Sequence, residues 1–102
     1  MPITVNRRTD GLTVTLTGEI DHHGARAMMA DLEETISTLL PRHLTLDLSG
    51  VTFMDSSGIA LLLRTHRQVS GYGGTLKVTR IPIQPRRVLD AAGVGRIISL
   101  EC

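Results

Sequence analysis

The chain has 102 residues, 41% hydrophobic and 21% charged, a globular composition for one domain able to bury a core without disulfide or metal staples. Its 11 basic and 10 acidic residues leave a formal charge of +1, and aromatics are 2% of the chain, so neither a basic footprint nor a stacking platform for nucleic acid is present. The lone cysteine, Cys102, excludes an intrachain disulfide and fits a reducing compartment, while the absence of a signal-peptide h-region at 1–8 and of any apolar run of membrane-span length points to a cytoplasmic protein.

In chain order, Ile3 to Val5 reads as a short first strand, and Asp10-Gly11 is a hairpin-turn pair. Leu12 to Thr17 alternates apolar and threonine, which puts Leu12, Val14 and Leu16 on the core face. Residues 18–24 end that strand and open a helix, with Asp21 or a neighbour available as its cap. Ala25, Met28, Met29, Leu32, Ile36, Leu39 and Leu40 form one helical stripe, and Pro41 stops it. Leu44 to Leu48 alternates as a half-buried strand, followed by Ser49-Gly50.

The stretch Val51 to Ala60 joins that strand to a helix on which Ile59, Leu62, Leu63, His66 and Val69 recur at helical spacing to about Ser70. Gly71-Tyr72-Gly73-Gly74 is a helix stop, since a phosphate loop needs the reverse order of strand, loop and helix. Thr75 to Ile81 is a strand that Pro82 ends. Pro85 suits the first turn of a helix with Val88, Leu89 and Ala92 on one face, and Arg96 to Leu100 forms a last strand. Arg80, Arg86 and Arg87 read as a solvated helix start. The order β-β-α-β-α-β-α-β predicts an α/β fold with parallel pairs, made mixed by the opening hairpin.

Asp55-Ser56-Ser57-Gly58 carries the chemistry, because an acid and two hydroxyls sit where a helix N-terminus leaves free N–H groups and partial positive charge. Capping alone accounts for these residue types. A second role is also open, since a phosphate on a serine is accepted at such an end and brings roughly −1.5 to −2 charges, enough to reverse the sign of the chain. Ser56, His22 or His23, and Asp55 supply the residue types of a serine hydrolase, but the G-x-S-x-G context is missing. His22, His23, His43, His66 and Cys102 complete no metal-ligand spacing, so no metal and no cofactor is expected.

Phe53-Met54-Asp55-Ser56-Ser57-Gly58 resembles the phosphorylation motif of the STAS-domain family, specifically the bacterial anti-sigma factor antagonists. Leu16 to Asp21 is similar to the family's second signature, and Gly73-Gly74 with Val88 to Gly93 to its third segment, so the resemblance spans nearly the whole chain. The Asp21-His22-His23 run looks most like the sporulation antagonists.

The resemblance implies a single STAS domain over 1–102, a mixed four- to five-stranded sheet with three or so helices packed on it. A further C-terminal helix found in family members is expected to be short or missing beyond the last strand. The resemblance also implies a switch protein that is not an enzyme. Unphosphorylated, it would bind an anti-sigma factor serine kinase and free the sigma factor. Phosphorylation on Ser56 would end that binding, and a phosphoserine phosphatase would reset it. Asp21, Asp55, Ser56, Ser57 and Gly58, with Arg64 and Arg67 on the following helix, would form the partner surface. The alternative is a non-switching STAS subunit of a lipid-transport or stress-signalling complex, against which the intact Asp55-Ser56-Ser57 argues.

Overall fold

Two strands rich in β-branched residues open the chain, β1 (Ile3–Arg8) and β2 (Gly11–Ile20), paired antiparallel through the Asp10-Gly11 turn. The computed structural model describes residues 3–101; Met1, Pro2 and Cys102, with the expectation attached to that cysteine, lie outside the described residues. The remaining elements are α1 (Gly24–Leu39), β3 (His43–Met54), α2 (Ser56–Gly71), β4 (Thr75–Thr79), α3 (Ile83–Ala91), a 3-10 turn (Val94–Arg96) and β5 (Ser99–Leu100).

The five described strands lie in the order β1-β2-β3-β4-β5, and every pair after the first is parallel. Strands added in one direction through right-handed crossovers leave α1, α2 and α3 on the same side of the sheet. The burial agrees. Leu12, Val14 and Leu16 of β2, Leu44, Leu46 and Leu48 of β3, and Val78 of β4 are buried, against Met28, Leu32 and Ile36 of α1 and Leu61, Leu62 and Val69 of α2. The other face carries Thr13, Thr45 and Lys77 in one row across β2, β3 and β4, on the floor of an open groove of about 640 Å³.

Several expectations are corrected. The strand read as Leu44 to Leu48 runs on to Met54, because Ser49-Gly50 and Thr52 are taken up as β-bulges and not as a turn. Leu40 does not join the apolar stripe of α1; it is 57% exposed, and its left-handed backbone (φ 45°) closes the helix with its N–H on Ile36 O. Ala92 is exposed at the end of α3 instead of facing inward. The strand expected from Arg96 shrinks to Ser99–Leu100, since the Ile97 and Ile98 N–H groups both turn back to Val94 O at 2.9 Å. β4 stops at Thr79, where Arg80 takes a left-handed backbone (φ 55°). Arg80 therefore lies off the helix and stands 3.8 Å from Asp47, while Arg86 pairs with Asp90 within α3 at 3.0 Å.

Candidate functional site

The site stands where β3 outruns its neighbour. β4 pairs with β3 only as far as Thr79 beside Asp47, and β3 continues for seven further residues along β2. Over that length β3 gains two residues on β2: Thr15 is opposite Asp47, Thr17 is opposite Gly50, and Glu19 is opposite Phe53. The first bulge is stabilised by the Asp47 carboxylate, which accepts the Ser49 N–H at 2.8 Å. Gly50 is required there, since a Cβ would stand 2.5 Å from Thr17 Cγ2. The slips carry the inward positions from Leu48 to Val51 to Met54, all buried.

Met54 is the last inward residue and sets the start of α2. Its side chain fills the space beside Gly58, where a Cβ would collide with Met54 Cγ and lie 2.7 Å from Sδ. Asp55 is the N-cap of α2, with extended backbone and its carboxylate accepting the Ser57 N–H at 2.7 Å. Its own N–H donates to Ile20 O at 3.3 Å, tying the loop to the end of β2. Ser56, the first residue of α2, is exposed, and among the described residues its hydroxyl has no hydrogen-bond partner.

Asp21 holds the matching position one strand over. It follows Ile20, which pairs with Met54, and its Oδ1 accepts the N–H groups of Gly24 at 2.7 Å and His23 at 3.1 Å. The Gly24 N–H holds the Asp21 carboxyl below its ordinary value, partial desolvation opposes this, and the His23 N–H adds to the lowering. Both helix starts thus have a carboxylate on their backbone N–H groups, Asp21 ahead of α1 and Asp55 as the N-cap of α2, each one residue past the Ile20–Met54 pair.

A cleft of about 240 Å³ opens between these helix starts, lined by Ser57, Met29 and Leu61 together with His22, Arg26 and Arg64. Arg64 also reaches Glu33 of α1 at 2.9 Å. Asp21, Asp55, Ser56, Ser57 and Gly58 are therefore brought together, and Arg64 reaches the same neighbourhood through the cleft. Arg67 does not. It lies further along α2, in a shallow depression with Glu33 and Gln68.

Sequence reasoning passed over Gln84 and Ile83 here, and gave Phe53 no part beyond its place in the motif. Gln84, in the first turn of α3, binds the Met54 backbone at both ends: Oε1 accepts the Met54 N–H at 2.9 Å and Nε2 donates to Met54 O at 2.8 Å. Phe53 and Ile83, the chain neighbours of this pair, expose 39% and 75% of their surface. The only sequence signal was Ile83 standing outside the apolar pattern of α3.

His22 and His23 are exposed, and the Asp55 carboxylate faces Ser57 N–H, so the hydrolase residues form no relay to Ser56. Among the described residues no group of three or more His, Cys, Asp or Glu side chains could hold a metal ion, and no helix is long and apolar enough to cross a membrane. What the arrangement presents is an exposed hydroxyl at a helix start next in the chain to the capping carboxylate of Asp55, with Asp21 on the neighbouring loop.

The family model described as "Mlab, STAS domain" matches residues 3–100. The chain belongs to the STAS-domain family. Among curated proteins it is similar to the anti-sigma F factor antagonist of Paenibacillus polymyxa, 32% identical over 89 residues, covering 87% of this chain and 76% of that one. Among solved structures, an anti-sigma factor antagonist from Mycobacterium paratuberculosis superposes with a TM-score of 0.85 at 26% identity, over 96% of this chain and 82% of that one. The unphosphorylated antagonist SpoIIAA has the same fold, with a TM-score of 0.79 at 23% identity over 98% of this chain and 88% of that one. The sequence-based expectation of a SpoIIAA-like STAS fold, a mixed sheet with three helices, therefore stands.

Proposed function

We propose that this STAS domain is an anti-sigma factor antagonist working as a phospho-switch. Its unphosphorylated form binds an anti-sigma factor serine kinase in the cytoplasm and releases the sigma factor. Phosphorylation of Ser56 ends the contact, and a phosphoserine phosphatase restores it. The chain is then substrate and binding module, with no catalytic activity of its own. The names of the Paenibacillus and Mycobacterium relatives support the antagonist role.

The observation that carries the reading is the placement of Ser56. It is exposed at the start of α2, yet Asp55 already occupies the cap. A phosphate on Ser56 meets the favourable end of the helix dipole but also adjoins the Asp55 carboxylate, with that of Asp21 on the neighbouring loop. In water these charges are tolerated. Under a partner that covers this end of the molecule, the added dianion must shed its hydration among like charges, and the complex comes apart. Asp21, Asp55, Ser57 and Gly58 belong to the contact surface on this reading, Arg64 extends it across the cleft, and Arg67 lies at its margin.

The test is a pull-down from lysate with the chain as bait, with and without ATP, followed by phosphosite mapping. The expected result is an anti-sigma kinase that is retained without ATP and lost as Ser56 becomes phosphorylated. A phosphate confined to Ser57 or to a threonine would sink the assignment. The alternative, a non-switching STAS scaffold subunit of a lipid-transport or stress-signalling complex, keeps one observation in its favour, the "Mlab" description of the matching family model. It predicts ATP-independent retention of a partner.

A further inference from the structure

We infer that Gln84 is a positioning residue for phosphotransfer to Ser56, a side-chain substitute for the strand that β3 lacks at its end. This rests on the phospho-switch reading above.

In a parallel sheet the N–H and C=O of one residue point to the same side, and those of the next residue to the other. The Asp55 N–H points to β2, where it meets Ile20 O at 3.3 Å. The Met54 N–H and C=O accordingly point to the β4 side. β4 is no longer there, since its last pair with β3 is Thr79 with Asp47. Both groups belong to a buried residue, 1% exposed, and such groups need partners.

The primary amide of Gln84 supplies both. Its carbonyl takes the N–H at 2.9 Å and its amino group gives to the C=O at 2.8 Å. Only one orientation of the amide satisfies both contacts, and among side chains of this length only glutamine offers acceptor and donor on one planar edge. A glutamate loses the donor, and a methionine of similar volume loses both.

The consequence falls on the next two residues. Met54 is held from one side by Gln84, Asp55 from the other by Ile20, and Met54 packs under Gly58. Ser56 is left exposed on a backbone fixed from both sides, which is the condition for a hydroxyl to meet an incoming γ-phosphate in one geometry. Removing the clamp leaves Ser56 chemically intact but lets its carrier wander. Phosphotransfer should then lose rate more than it loses encounter.

The experiment compares wild type, Gln84→Met and Gln84→Glu. Residue 84 is on an exposed helical turn and the three residues have similar helix propensities, so circular dichroism should show the fold retained. Amide exchange by NMR should be faster at 54–58 in Gln84→Met and unchanged in β1 and β2. With purified anti-sigma kinase recovered by the wild-type bait and Mg-ATP, kcat for Ser56 phosphorylation should fall about tenfold in Gln84→Met with KM nearly constant. Gln84→Glu, which keeps the N–H contact, should fall in between.

Wild-type kcat and KM in Gln84→Met, or unchanged exchange at Met54 to Gly58, overturns the proposal. A rise in KM alone also overturns it and makes Gln84 a contact residue. If wild type itself takes no phosphate on Ser56, the phospho-switch reading fails and the proposal with it, and the exchange data then still separate a structural clamp from none.

Discussion

Ser56 and Asp55 divide one task between adjacent side chains. Asp55 satisfies the helix, so the Ser56 hydroxyl is spared that duty and stays available. On the phospho-switch reading, Ser56→Ala should therefore fold as wild type and bind the kinase in the presence of ATP without release, and Ser56→Asp should bind it at least tenfold more weakly; calorimetry with purified kinase measures both. Tenfold is about 1.4 kcal/mol, a modest demand for a charge placed beside a carboxylate under a covering partner. Asp21 offers a test without any partner. Its carboxyl is lowered from 3.8 by the Gly24 N–H, so the capping contribution is complete above that value and is lost as pH falls through the folded-state value beneath it. The amide shifts of His23 and Gly24 should titrate together with a midpoint below 3.8, and in Asp21→Asn, which keeps an acceptor but no ionisation, they should stay flat.

At the scale of elements, α1 and α2 are joined by Arg64 to Glu33 and by Gln68, whose Nε2 reaches Glu33 O and Ser37 Oγ at 3.2 Å. The Arg64 and Glu33 side chains are 60% and 41% exposed, so their pair adds only about 0–1 kcal/mol to stability. On the phospho-switch reading, Arg64→Ala should leave the urea midpoint nearly unchanged while weakening kinase binding, which separates contact from folding. The elements themselves were legible because most of them bury one face and so repeat with a period: Leu12, Val14 and Leu16 in β2, Met28, Leu32 and Ile36 in α1. The site was legible in part, through the serine and acid types at a helix start and the resemblance they carry. The end of β3 was not, because a bulge breaks the period of two and Ser49-Gly50 then looks like a turn. Gln84 was not either. Its meaning comes from a contact 30 residues away, and a lone polar residue in a first turn carries no periodic signal.

For the molecule as a whole, the formal charge of +1 is a near-balance that one modification tips. With roughly −1.5 to −2 added by a phosphate at pH 7, the chain becomes an anion, and its isoelectric point should fall below the sequence value of about 8.0. On the phospho-switch reading, isoelectric focusing of the kinase-treated protein should show one acidic band, absent in Ser56→Ala. The two bulges of β3 also act at this scale, and they do so through register. Each slip adds one residue to β3 and leaves the inward face in place, so Val51 after the first and Met54 after the second are both buried, opposite Gly18 and Ile20. A deletion of one residue between 48 and 53 should therefore be absorbed by the loss of one slip, with Met54 still opposite Ile20. The slips are slack in the strand: they let a longer stretch of chain finish level with a shorter neighbour, so the height at which the serine stands is set by where β2 ends and not by the number of residues that lead up to it.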